Sequence, residues 1–125
     1  MENKQAKRRA TVFEWVKDVH ESLGWHEEGI ETTMALFDAQ IRRHKELYPP
    51  EKYQELAAVM MAISAKANGD SVSMRKIAEY TADYMTTDEL IKAEMTIFQR
   101  IINDMTICVL VPDAAEETKP QRSSG

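Results

Sequence analysis

An uncharged stretch in the middle of the 125-residue chain constrains its fold most strongly. It runs from Leu56 to Ala65, consists almost entirely of apolar residues, and is followed directly by Lys66. A helix on a protein surface needs a polar face, so a helix that is apolar on nearly all sides must be enclosed by other helices. The stretch therefore predicts an all-α protein with this helix at its centre, and a lysine that needs water or a partner where the core ends.

Composition excludes several classes of protein. The net charge of −5 argues against general nucleic-acid binding through a basic surface. The single cysteine, Cys108, excludes an internal disulfide framework and suits a reducing compartment. The chain contains neither an apolar run of about 20 residues nor an N-terminal signal sequence, so we expect no membrane association. These features predict an intracellular protein of the cytoplasm, the nucleus or both.

Apolar periodicity predicts five helices. Four are expected at 9–22, 27–43, 50–67 and 86–104, and one begins at a cap on Ser71 or Ser73 and carries Met74, Ile77, Ala78, Thr81 and Tyr84 on one stripe. Gly24 and the run Asn68-Gly69-Asp70 are expected to end helices. The run Thr86-Thr87-Asp88-Glu89, with a threonine as the cap, is expected to begin the last one. Residues 106–111 are left unassigned. The expected organisation is a basic lead-in at 1–8, one domain at 9–111 and a disordered tail at 112–125.

Four basic residues lie within six positions near the N-terminus, at Lys4, Lys7, Arg8 and Arg9. Such a cluster is either a nuclear-localisation signal or a solvated lead-in to the first helix. Short basic runs are common, which favours the second interpretation.

The residues that usually carry chemistry form no catalytic or metal-binding pattern. The histidines His20, His26 and His44 lack metal-ligand spacing, and Cys108 sits in an apolar setting. We therefore expect a binding protein with no metal and no cofactor, rather than an enzyme. A small helical enzyme with a site assembled from scattered side chains is the alternative. The methionines, such as Met60, Met61 and Met95, either fill the core or form an adaptable binding surface.

Several segments resemble the cyclin box in order and spacing. The segment from Arg8 to Asp18 is similar to the cyclin pattern M-R-A-I-L-x-D-W-L-x-E, and Leu36-Phe37-Asp38 to Y-I-D-R. Gln54 to Lys66 resembles the third cyclin helix, which ends in A-S-K. The segment from Met85 to Met105 is similar to the last one, with Lys92-Ala93-Glu94 matching K-x-E. The resemblance implies a five-helix cyclin-box bundle, as a single-box, divergent or viral-like member of the family.

The resemblance also implies functional residues. Lys66 and Glu94 match the pair with which cyclins engage the C-helix of a kinase and the region before its activation segment. The family positions that supply apolar contacts around that pair correspond to Ile63, Phe98 and Met105. The family's internal salt bridge corresponds to Arg9 and Asp38. The substrate-docking groove matches four further residues: Val12, Trp15, Asp18 and Gln54.

Two departures from the family pattern qualify these expectations. Arg8 replaces an apolar wall of the docking groove, and Ala67-Asn68-Gly69 replaces the aromatic residue and two acids that usually follow the lysine. The resemblance predicts a regulatory subunit that binds and activates a cyclin-dependent protein kinase, and we expect the free protein to be a monomer. The alternative is a cyclin-box adaptor that binds a protein partner without activating a kinase.

Overall fold

The computed structural model of the chain describes residues 3–82 and 84–110, with side chains described as far as residue 105. These ranges contain five α-helices, which confirms the all-α prediction. They are α1 (Lys4–Leu23), α2 (Glu28–Arg43), α3 (Tyr53–Ala67), α4 (Met74–Glu79) and α5 (Thr87–Leu110). Two short 3₁₀ turns, Lys45–Leu47 and Pro50–Lys52, connect α2 to α3. None of the described helices is long and apolar enough to span a membrane.

Contacts divide the chain into two compact units, Met1–Glu94 and Met95–Gly125. The first unit contains α1 to α4 and the opening turns of α5. Within it α3 packs against α1, α2 and α4, which confirms its central position. The described part of the second unit is the remainder of α5, and its exposed apolar side chains are Met95, Phe98, Ile102 and Met105.

The uncharged stretch of α3 forms the core of the first unit. From Leu56 to Ala62 every residue has an exposed fraction of 0%. Met60 and Met61 are among them and fill the interior, whereas Met95 is 68% exposed. Each fully buried large apolar side chain contributes roughly 1.5–3 kcal/mol through removal from water. This single helix is therefore a major source of the stability of the unit.

The observed limits of three helices correct the sequence expectations. α1 begins at Lys4 rather than Arg9, because the Asn3 side chain accepts hydrogen bonds from the amides of Gln5 and Ala6 and caps the helix there. Residues 4–8, expected as a lead-in, thus belong to the first helix. α5 continues through 106–110, which was unassigned, since neither proline nor glycine interrupts it before Pro112.

The fourth helix is shorter than its apolar stripe suggests. It ends at Glu79, so Thr81 and Tyr84 lie beyond it. The Thr81 hydroxyl donates to the carbonyl of Ala78 at 2.6 Å and accepts from the amide of Met85 at 3.2 Å. A threonine side chain that bonds the backbone in this way competes with helical hydrogen bonds and favours a turn.

Candidate functional site

Lys66 and Glu94 form an ion pair across 28 residues of sequence. The Lys66 Nζ donates to Glu94 Oε2 at 2.8 Å. The lysine side chain is 49% exposed and the glutamate side chain 17% exposed. A charge pair of this kind combines a well-shielded acceptor with a cation that still faces water. The ion pair is therefore preformed without being sealed inside the protein.

The end of α3 determines where Lys66 emerges. The amide of Asp70 donates to the carbonyl of Ala65 at 2.9 Å, and the amide of Gly69 donates to that of Lys66 at 3.1 Å. These two bonds form a Schellman motif, with Gly69 at the left-handed position at φ 81°. Lys66 thus lies in the last turn of the helix, which ends at Ala67, and the C-terminal dipole there favours a positive charge. This arrangement gives the Asn68-Gly69-Asp70 breaker its physical basis.

The first turns of α5 position Glu94. The Thr86 hydroxyl accepts from the amide of Glu89 at 3.1 Å, while the Glu89 carboxylate accepts from the amide of Thr86 at 2.9 Å. This reciprocal capping box starts the helix at the predicted signal. Leu90 is fully buried and lies one turn before Glu94, on the same helix face. The buried leucine holds this face against the protein and explains the low exposure of Glu94.

The other three residues expected to bind a kinase are divided between the two units. Ile63 is half-buried and lies nearly one turn before Lys66 on α3. Phe98 is 46% exposed and Met105 is 61% exposed, and both belong to the second unit. The structure brings Lys66 and Glu94 together, and a surface shared with Phe98 and Met105 stays a prediction.

Arg9 and Asp38 join α1 to α2. Arg9 Nε donates to Asp38 Oδ1 at 2.9 Å, and Nη2 donates to Oδ2 at 2.8 Å. The hydrogen bonds that Arg9 donates to Asp38 raise the pKa of Arg9, and partial burial only partly opposes this shift. Two parallel hydrogen bonds join the two side chains, which are 43% and 38% exposed. The geometry of this pair suits a structural role between the helices.

The four residues assigned to a docking groove have different environments. Val12 is only 4% exposed and packs in the core, so it offers little surface to a ligand. Trp15 and Gln54 are half-buried, and Asp18 is exposed. The Trp15 indole Nε1 donates to the carbonyl of Tyr80 at 2.9 Å, which fixes the ring. A peptide-binding groove at these residues stays a prediction.

A polar cluster around the C-terminal end of α1 was not predicted from the sequence. His20 is 2% exposed, and its Nδ1 must donate to the carbonyl of Val16 at 3.0 Å because a carbonyl only accepts. Its Nε2 finds no hydrogen-bond partner in the described part of the chain. His26 Nδ1 lies 2.6 Å from Asp70 Oδ1. Isolated histidines carry no sequence signal for such an arrangement.

Comparison with known protein families assigns the chain to a class. Residues 1–106 match the family model for the N-terminal domain of cyclins. This match covers most of the chain, and the helical fold around α3 agrees with it. The protein therefore belongs to the cyclin family and is a cyclin-like regulator. Neither a curated protein nor a solved structure gives a significant match.

Proposed function

We propose that this protein is a regulatory subunit that binds and activates a cyclin-dependent protein kinase, and so controls phosphorylation linked to the cell cycle or to transcription. Its family membership and the exposed Lys66–Glu94 ion pair support this proposal. The observation that carries most weight is that Lys66 remains half-exposed although it is already paired. The proposal includes an intracellular location, in the cytoplasm or nucleus, and a monomeric free state.

The ion pair is suited to bind the backbone of a partner. A lysine ammonium group has three hydrogen-bond donors, and Glu94 accepts one of them. The exposed side of Lys66 can donate to carbonyl groups of an approaching kinase. Glu94 holds the lysine in place, which lowers the entropy lost when the complex forms. The ion pair thus presents a positive charge in a fixed position, which helps to align the partner at the contact.

We expect this protein to activate the kinase by changing the position of the kinase's C-helix, without contributing a catalytic group. A protein kinase is active when a lysine of its β-sheet pairs with a glutamate of its C-helix. A cyclin-like subunit that binds the C-helix stabilises this arrangement. All catalytic groups then belong to the kinase, and this protein supplies only binding energy.

Single substitutions test the contact. We expect Lys66→Ala and Glu94→Ala each to weaken binding to a cyclin-dependent kinase by about tenfold or more, since both remove part of a preorganised charge contact. Calorimetric titration against a panel of purified cyclin-dependent kinase catalytic subunits measures the affinity. Lys92→Ala is the matched control, because Lys92 is an exposed lysine of the first unit. Unchanged affinity in both variants of the pair would refute the assigned contact.

Exchanging the two charges separates docking from an ordinary structural ion pair. The double variant Lys66→Glu/Glu94→Lys keeps opposite charges at the two positions but places a carboxylate where the exposed ammonium was. We expect the melting temperature to recover relative to the single charge reversals, while kinase affinity remains low. Recovery of both properties would show that the pair acts only within the fold.

A cyclin-box adaptor that binds a protein without activating a kinase is the second candidate function. The residues that follow Lys66 favour this adaptor function. Ala67-Asn68-Gly69, which leads into the Schellman motif, occupies the place of an aromatic residue and two acids in the family pattern. A phosphorylation assay with a peptide substrate distinguishes the two functions. Faster turnover in the presence of this protein supports the regulatory subunit, and binding without faster turnover supports the adaptor.

A further inference from the structure

One end of the first unit concentrates positive charge in an otherwise acidic chain. The segments 3–9 and 38–55 contain eight of the 16 lysines and arginines, but only four of the 21 acidic residues. We call these two segments the basic end. The net charge of the whole chain is −5, so charge is strongly separated within the protein. Such separation orients an approaching charged partner.

The helix packing brings the two segments of the basic end together. Arg9 pairs with Asp38, while His20 Nε2 lies 3.0 Å from the position that a Cβ on Gly29 would occupy. Later residues of α1 thus meet earlier residues of α2, so the two helices are antiparallel. The turn that contains Arg42 therefore lies alongside the first turns of α1. Lys4 approaches Glu51 at 3.9 Å and brings the second 3₁₀ turn to the same end.

Four cations of the basic end are available to a partner. Lys7, Arg8, Arg42 and Lys45 form no ion pair within 4.0 Å in the described ranges, whereas Lys4, Arg9 and Lys52 do. Lys7, Arg42 and Lys45 are exposed, and Arg8 is half-buried. Leu47, which follows this region on the 3₁₀ turn, is 48% exposed. The basic end thus combines several cations with one apolar side chain.

The chemistry of this surface favours an acidic peptide over other polyanions. Arginine binds carboxylates through two parallel hydrogen bonds, and four cations match a short acidic segment. The aromatic residues of the basic end, Tyr48 and Tyr53, are buried and cannot stack on bases. A single exposed leucine provides little insertion into a membrane. We propose that the basic end binds a short segment rich in aspartate and glutamate, with an apolar residue beside Leu47, on a protein partner.

Fluorescence anisotropy with a labelled peptide tests this proposal. The probe is a peptide of alternating Asp and Glu with one central Leu, titrated with the full chain. We expect Arg8→Glu/Arg42→Glu to weaken binding by at least about tenfold, because two attractions become repulsions. The neutral variant Arg8→Gln/Arg42→Gln should show a smaller loss. The control Arg75→Glu/Lys92→Glu makes the same change of charge at exposed residues outside the basic end and should stay within about twofold of the wild type.

Several outcomes would overturn the proposal. They are absence of binding to the acidic peptide, equal binding by the wild type and the Arg8→Glu/Arg42→Glu variant, and an equal loss in the control. Tighter binding to a single-stranded oligonucleotide of the same length, or to phosphatidylserine vesicles, would assign the surface to another class of ligand. The kinase-binding proposal is unaffected in each case, since its assay uses different residues.

Discussion

Arg9 donates hydrogen bonds to both carboxylate oxygens of Asp38, at 2.9 and 2.8 Å, across 29 residues of sequence. Planar arginine and carboxylate groups match in this two-point geometry, which fixes orientation as well as distance. The contact sets the register between α1 and α2 near one end of the first unit. It thereby determines which residues of the two helices face each other along the rest of their length.

We expect a measurable coupling energy between these two residues. A double-mutant cycle with Arg9→Ala and Asp38→Ala should give about 1 kcal/mol, the upper end for partly exposed pairs, because the geometry is bidentate. Chemical denaturation measures the free energy of unfolding of each variant. The same cycle on Lys4 and Glu51, which lie 3.9 Å apart and are 71% and 64% exposed, should give a coupling near zero. Equal coupling in both cycles would contradict this explanation.

Two methionines should respond very differently to truncation. Met61→Ala removes a side chain with no exposed surface and leaves a cavity, at a cost of about 2–5 kcal/mol in the free energy of unfolding. Met95→Ala removes a side chain that is 68% exposed and should change stability by less than about 0.5 kcal/mol. Denaturation curves of the two variants test the comparison. A large loss for Met95→Ala would mean that this residue has a partner in solution.

Acidification should destabilise the fold through His20. Burial lowers the pKa of His20 below its usual 6.5, while the hydrogen bond to Val16 and the charge of Asp70 partly oppose this shift. The unfolded chain therefore binds the proton more readily than the folded chain does. The stability due to neutral His20 is complete above about pH 6.5 and falls as the pH drops towards the lower folded pKa.

Melting temperatures measured between pH 5 and pH 8 test the effect of His20, because this range includes the unperturbed pKa of histidine. The wild type should lose stability over the acidic part of this range, and His20→Gln should lose less between the same two limits. The His26→Gln variant controls for the exposed histidine nearby. Identical pH dependence in the wild type and His20→Gln would contradict the assignment.

Gly69 should be required for the end of α3. Its φ of 81° lies in the left-handed region, and an added Cβ would meet no atom within 4 Å. Any cost of Gly69→Ala therefore arises from the backbone and should be about 1 kcal/mol. Gly69→Asn should cost less, because asparagine tolerates this conformation better than alanine does. Equal stability of the two variants, measured by thermal unfolding, would argue against this explanation.

Local sequence signals were sufficient to predict much of the fold. The uncharged stretch predicted the buried central helix. The run Thr86-Thr87-Asp88-Glu89 predicted the start of α5, because the cap joins only Thr86 and Glu89, three residues apart. Helix limits were less predictable where a signal lay outside the pattern of apolar residues. Asn3 extended α1 backwards, and the Thr81 side chain ended α4 before its apolar stripe did.

The candidate site was only partly predictable. Lys66 and Glu94 were matched through the cyclin resemblance, but neither their 2.8 Å contact nor their unequal exposure follows from residue order. The buried Val12 differs from its expected place on a groove, since burial depends on what the other helices cover. The same reason explains why the unpartnered Nε2 of His20 could not be anticipated.

The sequence by itself determined the helical class, the helix that is buried and the turns that end it, because these depend on periodicity and on groups a few residues apart. Only the tertiary structure decided which distant charges meet. Arg9 reaches Asp38 and Lys66 reaches Glu94 because the helices pack in one particular arrangement. The basic end likewise exists only because antiparallel packing of α1 and α2 brings together two segments that are separate in the chain. Local patterns encode elements, whereas surfaces and ion pairs depend on how those elements are packed.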